Sequence, residues 1–242
     1  MEEAELGRQA KGIFLFRALA LLVLVISVPA EAVACRLALV LAIDVSKSVD
    51  PAEYDLQSQG LANAFRDKKV RAALMGYGEP VAAAAFHWSG EGHQAMVADW
   101  LLFMKHDDID RFAERIGRHQ RSDFGQRTAI GSALTFAKDL LARGPDCAQQ
   151  VIDVSGDGYQ NEGLAPLEVY EDLDFSDITV NALVVGGLAR PELKLHFVNE
   201  VIHGPGAFAL ATQSFADYAD AIRQKLLREL APRDMVASAE DD

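Results

Sequence analysis

Five residues of this 242-residue chain have the types and spacing to hold a hard metal ion. Asp44, Ser46 and Ser48 alternate in Asp-Val-Ser-Lys-Ser, Thr128 follows far downstream, and Asp157 comes later still. In an extended turn every second side chain points to one side, so the alternation turns one carboxylate and two hydroxyls the same way. All five groups offer oxygen. Mg2+ takes six oxygens in near-octahedral geometry and usually keeps several waters. Two carboxylates and three hydroxyls, some acting through water, suit Mg2+, with Mn2+ as the other candidate. Alone, Asp-x-Ser-x-Ser is a weak signal, because both residue types are common in turns and caps. Thr128 alone reads as a helix cap, and Asp157-Gly158 alone as a turn. Their order, each after an expected element, makes them a candidate site.

The elements that must position them follow from hydrophobic pattern. Residues 37–43 (LALVLAI) form a continuous apolar run, the mark of a strand buried on both faces, and it ends at Asp44. Asp50 can cap a helix, with Pro51 at its first position and Glu53 completing a capping box. Tyr54, Leu61 and Phe65 then face the core. Residues 81–88 read as a second strand, 94–103 as a short edge strand with poor alternation, and 109–116 as a helix. The polar stretch 120–127, with Gly125, reads as a loop. It leads into a helix over 129–141 that Gly144-Pro145 ends, so Thr128 sits at a loop-to-helix junction. Residues 151–154 read as a short strand and Ser155-Gly156-Asp157-Gly158 as the loop after it. A helix over 164–173, a strand over 178–185, a helix over 191–202 and a short strand over 207–211 follow. Ser214 caps a last helix that runs through Leu230. Strands alternating with helices specify an α/β fold, a mostly parallel sheet with helices on both faces. Ligands of such sheets bind at the carboxyl ends of strands where the winding reverses, and Asp44 and Asp157 both fall at that end.

Asp-x-Ser-x-Ser, the later Thr128 and the later Asp157 together resemble the metal-ion-dependent adhesion site of von Willebrand factor A domains. The resemblance covers roughly residues 36–230. It implies a doubly wound, six-stranded sheet with one antiparallel edge strand. It also implies Ser46 and Ser48 as direct ligands, Asp44 and Asp157 often acting through water, and Thr128 joining when an acidic partner group binds. Lys47 occupies a variable position, and the approach to Asp157 through Ser155-Gly156 departs from the usual pattern of adhesive A domains. VIDVSGDG at 151–158, HWSG at 87–90 and VIHGPGAF at 201–208 are similar to a bacterial domain-of-unknown-function family of exported A-like proteins.

The function so implied is a binding module and not an enzyme. A metal held largely by neutral hydroxyls keeps residual positive charge, which an acidic side chain of a protein partner can satisfy. The alternative is a metal-dependent phosphohydrolase of the haloacid-dehalogenase kind. Asp44 would be its nucleophile, and GDGYQN at 156–161 loosely resembles its late acidic motif. Such enzymes place a second Asp two residues after the nucleophile as general acid. Ser46 stands there, and a serine supplies no proton near neutral pH. A purely structural A-like domain is the third reading.

The formal net charge is −13. Residues 1–34 hold three bases, Arg8, Lys11 and Arg17, against four acids, so nearly all of the excess lies in the remainder. Such a surface repels phosphate backbones and anionic lipid. The three bases precede an apolar run over 18–28 and small residues at A-x-A spacing, which describes a secretory signal over 1–34. The run is shorter than the ~20 residues of a spanning helix. An uncleaved anchor and a lipoprotein acylated at Cys35 are the other readings. What remains is one domain over 36–230 and an acidic tail over 231–242, exported to the periplasm or secreted.

Export permits a disulfide. Cys35 lies nine residues before Asp44 and Cys147 ten before Asp157. If the two aspartates end neighbouring parallel strands, the two cysteines stand at matching height, so a Cys35–Cys147 bridge is expected. His87 and His93 match no common zinc spacing; His87 reads as structural at a strand end and His93 as solvated. His196 and His203 read as packing or capping a helix. Asp107, Asp108 and Asp110 read as a helix start, where acids favour the dipole.

Overall fold

The computed structural model describes residues 35–121 and 126–231. The leader, Gly125 and the tail beyond Ala231 lie outside the described residues. The run at 37–43 lies within strand β1 (Cys35–Asp44), and every residue from Leu37 to Asp44 is buried. Alternation sends Leu37, Leu39, Leu41 and Ile43 into one core and Ala38, Val40 and Ala42 into the other. Each fully buried Leu or Ile contributes about 1.5–3 kcal/mol, so this central strand ties both layers together.

Helix α1 (Pro51–Arg66) starts as the pattern dictates. Asp50 Oδ1 accepts from Glu53 N–H, and Glu53 Oε2 accepts from Asp50 N–H, both at 2.9 Å. Tyr54, Leu61 and Phe65 are buried beneath it. Helix α2 (Lys68–Met75) is absent from the sequence-based expectations; its signals are the Asp67 cap and the Val70/Leu74 pair at i,i+4. Strand β2 (Val81–Trp88) is wholly buried, and β3 (Gln94–Leu102) pairs with it antiparallel through two register shifts. Helix α3 (His106–Arg118) is longer than the stretch 109–116, because Asp108 closes its first turn by accepting from Met104 and Lys105 N–H. Helix α4 spans Ile130–Ala142.

Strand β4 (Cys147–Gly156) is more than twice the expected length. Its first half carries Gln149 and Gln150, polar and half-buried, so hydropathy misses it. Ser155 and Gly156 are therefore strand residues and not loop. Helix α5 (Pro166–Asp172) starts later than expected, at its proline. Strand β5 spans Ile178–Val184. The expected helix over 191–202 divides into α6 (Pro191–His196) and a π-helical turn (Phe197–Val201). Strand β6 is just Ala209–Ala211. Ser214 caps a 3-10 turn (Phe215–Asp217) that leads into α7 (Tyr218–Leu230).

The sheet order is β3-β2-β1-β4-β5-β6, parallel except for the edge strand β3. Helices α1, α3 and α7 pack on one face and α4 on the other, beside α5 and the π turn. The winding reverses between β1 and β4, so their carboxyl ends form the crevice expected to take ligands. At the opposite end Cys35 and Cys147 are register partners 4.4 Å apart at Cα, and their sulfurs are bonded.

Candidate metal centre

The crevice gathers the candidate side chains. Asp44 ends β1 and Asp157 follows β4 directly. The loop between β1 and α1 folds back at once, since Ser46 N–H donates to Asp44 Oδ1 at 2.7 Å. That turn aims the Ser46 and Ser48 hydroxyls at each other, 3.1 Å apart, and Ser48 Oγ donates to Asp157 Oδ1 at 2.6 Å. A Cβ on Gly158 would stand 3.4 Å from Thr128 Oγ1 and 3.8 Å from Ser48 Oγ, so Thr128 borders the same space. All five residues expected from sequence thus meet at one place.

The neighbouring backbone explains the Ser155-Gly156 approach. A Cβ on Gly156 would come within 3.2 Å of Asp44 Oδ2, 3.3 Å of Phe197 and 3.4 Å of Trp88. Glycine suits that position through close approach, not through an unusual dihedral.

Electrostatics sets this cluster apart. Asp44 is fully buried and Asp157 nearly so. Burial first, then the Asp157 charge, pushes the Asp44 carboxyl up to about 7. Burial also raises Asp157, against the opposing pull of the Ser48 hydroxyl and Arg190. Asp44 Oδ2 is buried with no hydrogen-bond partner. Arg190 donates to the Asp157 carbonyl at 2.9 Å and the Val185 carbonyl at 3.2 Å, not to the carboxylate. Burying ionised carboxylates without a counter-charge is costly, and a bound cation would remove that cost. The donor set fits a hard ion, since every group is oxygen. Among the described residues no group of three or more His, Cys, Asp or Glu is placed to hold a metal, so such an ion depends on the hydroxyls.

Several residues that hold this geometry were not legible in sequence. Arg121, buried after α3, donates from Nη1 to the Val49 carbonyl at 2.5 Å. Its Nη2 donates to the carbonyls of Val45 at 2.5 Å and Ser46 at 3.0 Å. One guanidinium thus fixes the loop that carries both serines, from a position more than 70 residues away. Gln57 on α1 donates to the Asp44 carbonyl at 2.9 Å. Asn161 and Thr128 exchange two bonds of 2.9 Å: Thr128 N–H donates to Asn161 Oδ1, and Asn161 N–H to the Thr128 carbonyl. Gln160 Oε1 caps α4, accepting from Ile130 N–H at 2.6 Å and Gly131 N–H at 3.3 Å. The Gln160 and Asn161 of GDGYQN, a phosphatase-like string in sequence, therefore lock Thr128 to the Asp157 loop. The local signal was their polarity at a helix start, with no pattern to name the helix.

The histidines stay outside the cluster. His87 is buried against Tyr54 and His119, and burial lowers it to about 3. His93 lies half-buried in the β2–β3 turn. His203 stacks on Tyr170. His196 contacts Tyr159 and the Asp157 loop.

Residues 34–234 match the family described as Protein of unknown function (DUF1194). No curated protein matches. Solved structures do. Proximal thread matrix protein 1 from the mussel byssus is 19% identical, with a TM-score of 0.57 over 81% of this chain and 46% of that one. A second structure of that protein, described as having a zinc-occupied MIDAS motif, is 18% identical, with a TM-score of 0.55 over 83% and 49%. A von Willebrand factor type A protein from Catenulispora acidiphila is 15% identical, with a TM-score of 0.53 over 81% and 43%. The pilus adhesin SpaC from Lactobacillus rhamnosus GG is 13% identical, with a TM-score of 0.57 over 81% and 31%. The chain spans half or less of the length of each. These likenesses establish a von Willebrand factor A-like fold.

Proposed function

The chain belongs to the DUF1194 family, and we propose that it is an exported interaction module with a metal-dependent contact. Asp44, Ser46, Ser48, Thr128 and Asp157 hold Mg2+ or Mn2+, and an acidic side chain of a protein partner completes the coordination. The observation that carries this reading is Asp44 Oδ2, a buried carboxylate oxygen without a partner, beside a second buried acid and three hydroxyls. The five residues leave at least one of the six oxygen positions of such an ion to be filled from outside, and a carboxylate oxygen of a partner can fill it. The chain's own residues set the frame: Arg121 and Gln57 hold the serine loop, and Asn161 and Gln160 hold Thr128 against the Asp157 loop. A zinc-occupied MIDAS motif in one neighbour and the adhesin description of another support the reading.

Residues 1–34 serve as the export signal, 36–230 as the domain and 231–242 as an acidic tail. The disulfide supports an oxidising compartment. It also uses the sulfur that a lipid on Cys35 would need, so bridge and lipid exclude one another and the product is free of lipid.

The test is calorimetric titration of Mg2+ and Mn2+ into the protein beside Asp157→Ala. Binding in the parent that disappears in the variant is expected. No heat with either metal, in a folded parent, would overturn the reading.

A further inference from the structure

His196 ends α6 where the helix widens into the π turn, and its ring is mostly buried. Single π turns inside helices mark functional positions more often than chance, and this one has a specific contact. His196 Nδ1 stands 3.2 Å from Glu200 Oε1, and Nε2 lies 3.4 Å from the backbone nitrogen of Gln160. An N–H must donate, so Nε2 carries no proton in this arrangement. Nδ1 then holds the ring's one proton and donates it to the carboxylate.

Gln160 is a junction. Its side chain caps α4 behind Thr128, and its backbone lies three residues beyond Asp157. The next residue, Phe197, packs over Gly156 beside Asp44 Oδ2. The α6 end thus supports the proposed metal-binding loops from outside. Two ionisable side chains face the His196 ring: Glu200 from its own helix segment and Tyr159 from the Asp157 loop.

We infer that His196 is a positioning residue for the metal centre, one that makes the centre sensitive to pH. Neutral and oriented by Glu200, it accepts the Gln160 N–H and holds the Asp157 loop in place. A second proton turns Nε2 into a donor facing a donor. The Glu200 contact survives as an ion pair, the Gln160 contact does not, and the loop loses its outer support. The inference rests on the metal reading for its consequence, while the hydrogen bond itself can be tested without metal.

The experiment has two arms. In the first, the full protein with 15N-labelled histidine is examined by NMR near pH 8. The Nδ1–H tautomer is expected at His196, with a slowly exchanging Gln160 amide that loses protection when His196 is protonated; the Nε2–H tautomer would overturn the inference. In the second, Mg2+ affinity is measured near pH 8 and pH 5.5 for the parent and His196→Gln, whose amide oxygen accepts but does not titrate. Acid weakens both through the carboxylates, and the parent is expected to weaken about 3–10-fold more, the equivalent of one hydrogen bond. Equal pH dependence in the two would overturn the inference. Absence of Mg2+ binding in every protein would overturn the metal reading instead, and the NMR arm would still decide His196.

Discussion

Strand β4 delivers two aspartates into buried surroundings four residues apart, and the chain treats them differently. Asp153 meets Glu229, and between them stands Lys225, fully buried on α7. Its Nζ lies 2.7 Å from Asp153 Oδ1 and 2.6 Å from Glu229 Oε1. Asn181 adds a bond of 2.8 Å to the same Glu229 oxygen, and the Phe208 ring lies 5.4 Å from the ammonium. Asp157 meets Asp44, Ser48 donates to Asp157, and Asp44 Oδ2 is buried without a hydrogen-bond partner. One acid pair has its cation built in. The other opens toward the crevice, among hydroxyls, and has none bonded to its carboxylates, Arg190 reaching the Asp157 carbonyl instead. A buried acid pair costs stability unless something neutralises it. On the proposed reading, the contrast separates a cluster that holds the fold from one that receives a charge.

The largest test of this contrast removes the internal cation. Lys225→Met leaves two uncompensated acids and is expected to destabilise the protein by about 3–5 kcal/mol, read as a lower urea midpoint. An unchanged midpoint would erase the distinction between the clusters.

Proton linkage gives the next largest effect. Burial first, then the Asp153 charge, raises Glu229 to about 7 against the pull of Lys225. A carboxyl raised in the folded state favours folding while protonated. That contribution is whole below about pH 4.5 and is lost as pH rises through about 7. The Glu229 share of the fall should be about 3 kcal/mol across that window, beside a separate share from Asp44 in metal-free protein, and Glu229→Gln should remove the Glu229 share. Parallel pH–stability curves for the two proteins would refute it.

The smallest effect has the opposite sign. In metal-free protein Asp44→Asn discards a carboxyl that burial disfavours, and is expected to raise stability by about 1 kcal/mol near pH 8. The gain is modest because the new amide must find its own acceptor. Destabilisation instead would mean that Asp44 is a structural anchor and not a group awaiting a cation.

Much of the site was legible because its signals are local. Asp44, Ser46 and Ser48 lie within five residues at the end of an apolar run. The Cys35–Cys147 pairing followed from counting back along two strands of equal height. What failed was reading that needed a partner distant in sequence. Lys225 and Glu229, at i,i+4 on a helix, look like an ordinary surface pair. Gln149 and Gln150 hid half of β4. Gln160 and Asn161 looked like part of an enzyme motif until α4 was seen to need caps.

The sequence by itself determined the alternation of strands and helices, the wholly apolar central strand, the capping box of α1 and the order of the five oxygen-bearing residues. Backbone propensity and hydrophobic period act over a few residues, so they can be read directly. Tertiary structure alone decided which charges are neutralised. Arg121 reaches the carbonyls of Val45, Ser46 and Val49, Lys225 reaches Asp153, and Asp44 Oδ2 is left without a partner. Coulomb energy and desolvation depend on distance in space and on burial, and both are set only when the layers close.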